Sequence, residues 1–338
     1  RPALFGKGLS RPPPALASHY VQGRYSSLTP HMRVVPPMEI WIWITLVAAT
    51  TQTLRSAGQK QMKSVMGDFG ASYIRFSYAL PFACVWLYAV MSATGQAMPQ
   101  TTPDFWLWVS IGGMTQVIFT VLLITLFNHR NFAAGTAFSK TEILQAAIFE
   151  AIIIGEFVSF QVGLAIAIGV FAILMLSFHK AKIGIGGIRS AVTSYQTLLG
   201  LAAGAFLGLS TVSFRAATDA LATGDVLVRA SMSAATSTLL QTIVMGAALL
   251  FVARSELVAS FRHWRKAWPV GLFGAITTAC WFTAFSMQNV ASVRAIGQVE
   301  LLITLGVSAL FFKEKISRIE IIAVLLLGAS ILLVLLDS

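Results

Sequence analysis

From residue 39 to residue 336 the sequence is a succession of apolar stretches, each about 20 residues long, divided by short connections that hold most of the charge. A helix of about 20 residues rises about 30 Å, the thickness of a bilayer's hydrocarbon core, and in lipid every backbone polar group must be satisfied inside the segment that carries it. The stretches read as 39–57, 69–92, 104–127, 133–154, 158–178, 195–214, 226–252, 267–287, 292–311 and 317–336, so the expected fold is an all-α polytopic membrane protein with ten transmembrane helices. The connections MSATGQAMPQTTPD, HKAKIGIGGIRS and ARSELVASFRHWRKAW mark the clearest breaks, and Trp41, Trp43, Trp106, Trp108, Trp264 and Trp268 sit at span ends, where an interfacial aromatic belt is expected. Only 11% of residues are charged, against about a quarter in a soluble domain, which excludes that class. The net charge of +11 suits loops that meet anionic lipid; no basic–aromatic motif points to nucleic acid. Cys84 and Cys280 both lie inside apolar stretches and read as packing residues, neither a disulfide framework nor a zinc site.

Residues 1–37 differ from the rest. They hold seven of the eleven prolines, five arginine and lysine residues and no acid. The prolines oppose the amphipathic helix of a transit peptide, and Met38 directly precedes the first span, so the expectation is a disordered or non-native leader with translation starting at Met38.

The spans repeat. FNHRNFAAGTAFSKTEILQAAIFEAIIIGEFVS lies over FSMQNVASVRAIGQVELLITLGVSALFFKEKIS without a gap, placing Glu142 on Glu300 and Glu156 on Glu314. With one short gap, KQMKSVMGDFGASYIRF lies over RAATDALATGDVLVRA, so that Lys60 meets Arg215, Asp68 meets Asp225 and Arg75 meets Arg229. The domains expected are therefore two five-helix repeats, 38–180 and 181–338. Because five is odd, the second enters the membrane from the opposite side, giving an inverted repeat.

These features resemble the drug/metabolite transporter superfamily in its ten-helix EamA-like branch. The resemblance is carried by a cation ending the first helix of each repeat (Lys60, Arg215), an arginine entering the second (Arg75, Arg229), and a fourth helix that opens and closes on glutamate (Glu142 to Glu156, Glu300 to Glu314). It implies a helix bundle around a central cavity, and a secondary active transporter, exporter or exchanger, of a small organic metabolite or amphiphile. Ile143 and Leu301 stand where the family's pattern commonly has proline after the acid, so no proline imposes a kink there.

In such a bundle each fourth helix presents an acid two to three turns inside the membrane, which makes Glu142 and Glu300 the cavity candidates, binding substrate or a coupling proton. Gln145 and Glu150 share a face with Glu142, and Lys140, Arg294 and Gln298 complete the candidate substrate- or proton-binding set. The competing reading is a buried pair, Glu142 with Lys140 or Arg294, that only fixes packing. Glu150, opposite Ser308 in the repeat, is where the halves differ, and Glu156 and Glu314 read as helix-end or gate contacts. Lys60, Arg75, Arg215 and Arg229 are either snorkelling cations or anion-binding and gating groups. Asp68 and Asp225 read as local partners or helix caps. Phe138, Phe149, Trp281 and Phe282 could face the cavity. The glycine face Gly200, Gly204, Gly208 suits close packing within the bundle; a monomer suffices, with a dimer through this face as the alternative.

No paired-histidine spacing, nucleophile elbow or phosphate-cradling glycine loop occurs, so neither a catalytic centre nor a cofactor nor a metal site is expected. A membrane-embedded lipid-modifying enzyme and a non-transporting membrane partner are the alternative functions. The odd-numbered connections carry the cations, which by the positive-inside rule points them to the cytoplasm and both termini outside; the family's usual arrangement and the basic leader point the other way, and the orientation stays open. The expected location is the cell (bacterial inner) membrane, and the expected partners are a small-molecule substrate, the lipid bilayer and a coupling proton.

Overall fold

The structure is a computed structural model and describes residues 37–127, 138–180, 193–303 and 317–337. The leader, the joint between the halves at 181–192 and Glu314 lie outside the described residues. Everything described is helix or short connection: α1 Pro37–Ser77, α2 Ala79–Thr94, α3 Pro103–Phe127, α4 Glu142–Ile153, α5 Phe160–Lys180, α6 Tyr195–Asp219, α7 Val226–Val252, α8 Arg254–Arg262, α9 Trp264–Phe285, α10 Val290–Gly297 and α11 Arg318–Asp337. Among the described residues seven segments are long and apolar enough to cross a membrane, and this is a multi-pass membrane protein. The first of them, Ile40–Thr94, reverses direction at Gly67, whose φ of +76° an L side chain rarely adopts. Across this turn Gln59 Nε2 donates to the Ala71 carbonyl at 3.0 Å, and Met62 and Met66 of one limb share a buried cluster with Ala71 and Ile74 of the other. The second limb pauses at Tyr78, because the Pro81 ring collides with the carbonyl four residues back.

The helix pairings follow a rule. α3 packs along α6 and α9 along α1; α4 lies on α6 and α10 on α1; α3 meets α7 and α9 meets α2; α5 pairs with α11 and α2 with α7. Exchanging the two halves turns each of the first three couples into itself reversed and leaves the last two pairs unchanged. Small residues permit the close approaches. A Cβ on Gly208 would stand 3.1 Å from the Glu142 carbonyl oxygen, and one on Gly204 3.0 Å from that of Ser139, so the glycine face of α6 seats the start of α4. Ser210 Oγ donates to the Gly112 carbonyl at 2.8 Å between α6 and α3, and Ser330 Oγ to that of Ala165 at 2.7 Å between α11 and α5.

Four sequence expectations change here. The first helix does not stop at residue 57: its lysine- and glutamine-rich continuation stays helical to the Gly67 turn because Met62 and Met66 find buried partners. The connection ARSELVASFRHWRKAW contains α8, whose Leu257 and Ser260 are buried while Val258 and Phe261 stay exposed. Trp41 leaves the expected belt: it is 1% exposed, packed with Ile143, Val162 and Ala165, whereas Trp43, two residues on and on another helix face, is 66% exposed. Finally, the helix is interrupted without proline at Lys140–Thr141 and at Gln298, positions that the repeat superposes to within a residue.

Candidate functional site

Two polar clusters are buried in the bundle. The central one is built on the paired interruptions. Where the helix breaks before Glu142, at Lys140–Thr141, Thr141 turns its hydroxyl onto the Phe138 carbonyl (2.7 Å). Lys140 Nζ lies 3.3 Å from a Glu300 carboxylate oxygen, and Gln52 Nε2 of α1 donates to the other at 2.8 Å. Glu142, 2% exposed, pairs closely with Arg294 of α10. Each twin glutamate thus takes a cation from the opposite half. Trp281 joins the two pairs: its Nε1 donates to Gln52 Oε1 at 3.0 Å, and the Arg294 guanidinium stands 5.0 Å from its ring centroid. A Cβ on Gly297 would meet that indole at 2.6 Å, so the glycine leaves room for it.

The second cluster closes one end of the bundle. Glu150 is fully buried. Its carboxylate pairs closely with Arg215 and accepts the amides of Val290 (2.8 Å) and Ala291 (3.3 Å), the first turn of α10, where unpaired amides and the helix dipole favour an anion. The other end of the Arg215 fork binds both Glu156 oxygens at 2.8 and 2.7 Å, Asp219 lies 3.7 Å from its Nε, and Asn289 Nδ2 donates to Glu156 at 2.8 Å. At the same end Gln96 Nε2 donates to Asp225 (2.7 Å), Gln100 N to Thr223 Oγ1 (2.9 Å), and Ser159 Oγ to Asp337 (2.6 Å). The connections after α2 and α6 are therefore bonded to each other, and those after α4 and α9 to each other. At the opposite end Glu256 of α8 accepts the Gly70 amide at 2.8 Å, just past the Gly67 turn.

The sequence candidates separate accordingly. Glu142, Glu300, Lys140 and Arg294 meet in the central cluster, in crossed pairs. Gln145 donates to Thr141 Oγ1 (3.0 Å) and Gln298 to the Arg294 carbonyl (3.3 Å); the carbonyl oxygen of each side-chain amide is buried without a hydrogen-bond partner. Glu150 and Arg215 belong to the closed end with Glu156. Arg75 donates to Thr120 Oγ1 of α3 at 2.9 Å. Lys60 is exposed, and Arg229, at the start of α7, has a buried Nε without a partner. Asp225 caps α7 by accepting the Val228 amide at 2.9 Å, and Asp68 pairs with Lys63 at 3.1 Å. Of the aromatics, Trp281 reaches the central cluster, Phe282 packs at a tilt against Phe214 with ring centroids 4.7 Å apart, Phe138 meets Phe178 edge to face at 5.8 Å, and Phe149 packs in the core. Sequence reasoning passed over Gln52 and Arg55, one turn apart on α1; their signal was polarity inside an apolar span. Cys84 and Cys280 are free thiols, and among the described residues no group of three histidine, cysteine or acidic side chains could hold a metal ion.

Residues 195–336 match the model of the EamA-like transporter family, so the second half of the chain carries a domain of that family. No curated protein matches the chain in sequence. Among solved structures 27 chains match. One, described only as the crystal structure of a protein, superposes with a TM-score of 0.65 at 14% sequence identity, covering 89% of this chain and 98% of its own. At that identity the likeness is one of fold.

Proposed function

We propose, from the premise of an EamA-like transporter domain in residues 195–336, that the chain is a secondary active transporter, an exporter or exchanger of a small organic metabolite. It works by alternating access between two inverted five-helix halves, 38–180 and 181–338. The observation that carries this reading is the crossed pairing of the twin glutamates, Glu142 with Arg294 and Lys140 with Glu300, deep in the bundle and across the two halves. Charges taken out of water are expensive, and a pair made between two bodies can be remade with substrate or a proton as the bodies move. The exchange-symmetric helix pairings supply two equivalent packings, and the Arg215 network supplies a gate at one end. By loop charge, the end carrying Lys60, Lys63, Arg254, Arg262 and Arg265 faces the cytoplasm, and the Arg215 network closes the outer end of a protein in the bacterial inner membrane.

The test is flux of a metabolite panel in proteoliposomes, with and without a pH gradient, comparing the wild type with Glu142→Gln and Glu300→Gln. Gradient-dependent flux that either substitution uncouples is the expected result. Equal flux in all three proteins removes the coupling role of the acids, and no flux across a broad panel removes the transporter reading.

A further inference from the structure

Among the described residues the charges inside the bundle do not balance. Both central acids are engaged, Glu142 by Arg294 and Glu300 by Lys140 and Gln52. Two further guanidinium groups lie within the helix bundle, one on each limb of α1. Arg55, one turn past Gln52 on α1, makes no hydrogen bond or ion pair with any described residue, and its Nε is buried. Arg75, on the second limb of α1, has among the described residues the neutral Thr120 hydroxyl, which itself donates to the Gln116 carbonyl at 2.9 Å, and the face of the Phe76 ring at 4.4 Å, with no acid paired to it and its Nε buried without a hydrogen bond.

The two limbs of α1 that carry them meet at Gly274 of α9: a Cβ there would lie 3.6 Å from Arg55 Cδ and 3.0 Å from the backbone carbonyl oxygen of Arg75. Arg75 lies in the field of Arg55, and Arg55 in those of Glu300 and Arg294. Arg75, eight residues past Gly67, sits about 12 Å from that turn, between the central cluster and the end opposite the Arg215 network. Two half-buried guanidiniums, each with its Nε cut off from water and neither paired with an acid among the described residues, are costly in the empty protein. An oxyanion reverses the sign of that cost, and guanidinium donors match the paired oxygens of carboxylate or phosphate.

We propose that Arg55 and Arg75 together form the binding site for an anionic oxygen group, carboxylate or phosphate, of the transported metabolite. The substrate class is then a small organic anion or zwitterion. This rests on the transporter reading for what the site serves, and not for its existence.

The full chain in phosphatidylcholine nanodiscs is titrated with succinate and with inorganic phosphate, and with succinamide and putrescine as neutral and cationic controls, at constant ionic strength, following thermal unfolding. Succinate or phosphate is expected to raise the unfolding midpoint saturably and the controls to leave it unchanged, the stronger anion telling carboxylate from phosphate. Arg55→Gln and Arg75→Gln are each expected to raise the half-saturating concentration about tenfold or more, with partial recovery in Arg55→Lys. The empty Arg55→Gln protein should unfold at the wild-type temperature or above it; a structural ion pair would give the opposite sign. Equal response to succinate and succinamide, or variants that titrate as the wild type does, overturns the proposal. If phosphatidylglycerol in the nanodisc reproduces the stabilisation and abolishes the response to succinate, the ligand is a lipid headgroup, and the assignment to a soluble metabolite falls. Proteoliposome flux separates the two readings. Anion binding lost in Arg55→Gln without any flux leaves the site and removes transport, whereas saturable flux unchanged in both variants leaves transport and removes the site.

Discussion

Arg215→Met removes the centre of the closed-end network, and the structure sets the size of the effect. Glu150 is fully buried, so after the substitution its carboxylate cannot recover water as a partner. Breaking a buried pair by deleting one member costs about 3–5 kcal/mol, most of it the charge left behind. Here Glu150 keeps the Val290 and Ala291 amides, at 2.8 and 3.3 Å, and the favourable end of the α10 dipole, which moves the expectation to the low end, about 3 kcal/mol. Glu156, with a side chain 45% exposed, is rehydrated and adds less than about 1 kcal/mol. The assay is reversible unfolding by sodium dodecyl sulfate in mixed micelles, followed by circular dichroism, on Arg215→Met, Glu150→Gln and the double variant. The expected coupling between the two sites is about 2 kcal/mol, because Glu150→Gln leaves no unpaired charge at that position once Arg215 is gone. A cost for Arg215→Met below about 1 kcal/mol, or no coupling to position 150, would refute the reasoning that this pair is desolvated and structural.

Two further substitutions probe the ends of the bundle. Gly67→Ala combines φ of +76° with a Cβ 2.3 Å from the Glu256 carboxyl carbon, and is expected to cost about 1–3 kcal/mol in the same unfolding assay; no loss would mean that the turn relaxes freely. Asp225→Ala removes the oxygen that accepts the Val228 amide and is expected to cost about 1 kcal/mol, with Asp225→Asn nearly neutral.

What the sequence makes legible follows from what repeats and from what lipid forbids. The internal repeat and its twin acids are readable because a gapless superposition is a local property of the chain, and apolar length places most spans while missing the continuation of the first helix to Gly67. Even the partner of Glu142 is among the candidates, since few cations occur in the spans. Arg55 and Gln52 escape for the opposite reason: under the register that sets Lys60 on Arg215 they face Ser210 and Leu207, so a search for twins passes over them. The role of Glu150 is not readable either. It depends on amides at the start of α10, 140 residues away in sequence, which come under α4 only in the folded bundle. Trp41 shows a third limit: position along a span places a residue at the interface, but which helix face it occupies decides whether it meets lipid or core.

The central claim is that the closed end opens as the two halves move and the crossed glutamate pairs between them are remade. Its most direct measurement is a distance. Spin labels at Phe157→Cys and Met287→Cys, in a protein lacking Cys84 and Cys280, report the separation of the connections that Glu156 and Asn289 hold together at 2.8 Å. Pulsed electron resonance should give one dominant short distance in the wild-type background. Glu156→Ala, which releases both the Arg215 fork and Asn289, should add a second, longer population. A single unchanged distance in both proteins, under conditions where the protein transports, would contradict the account.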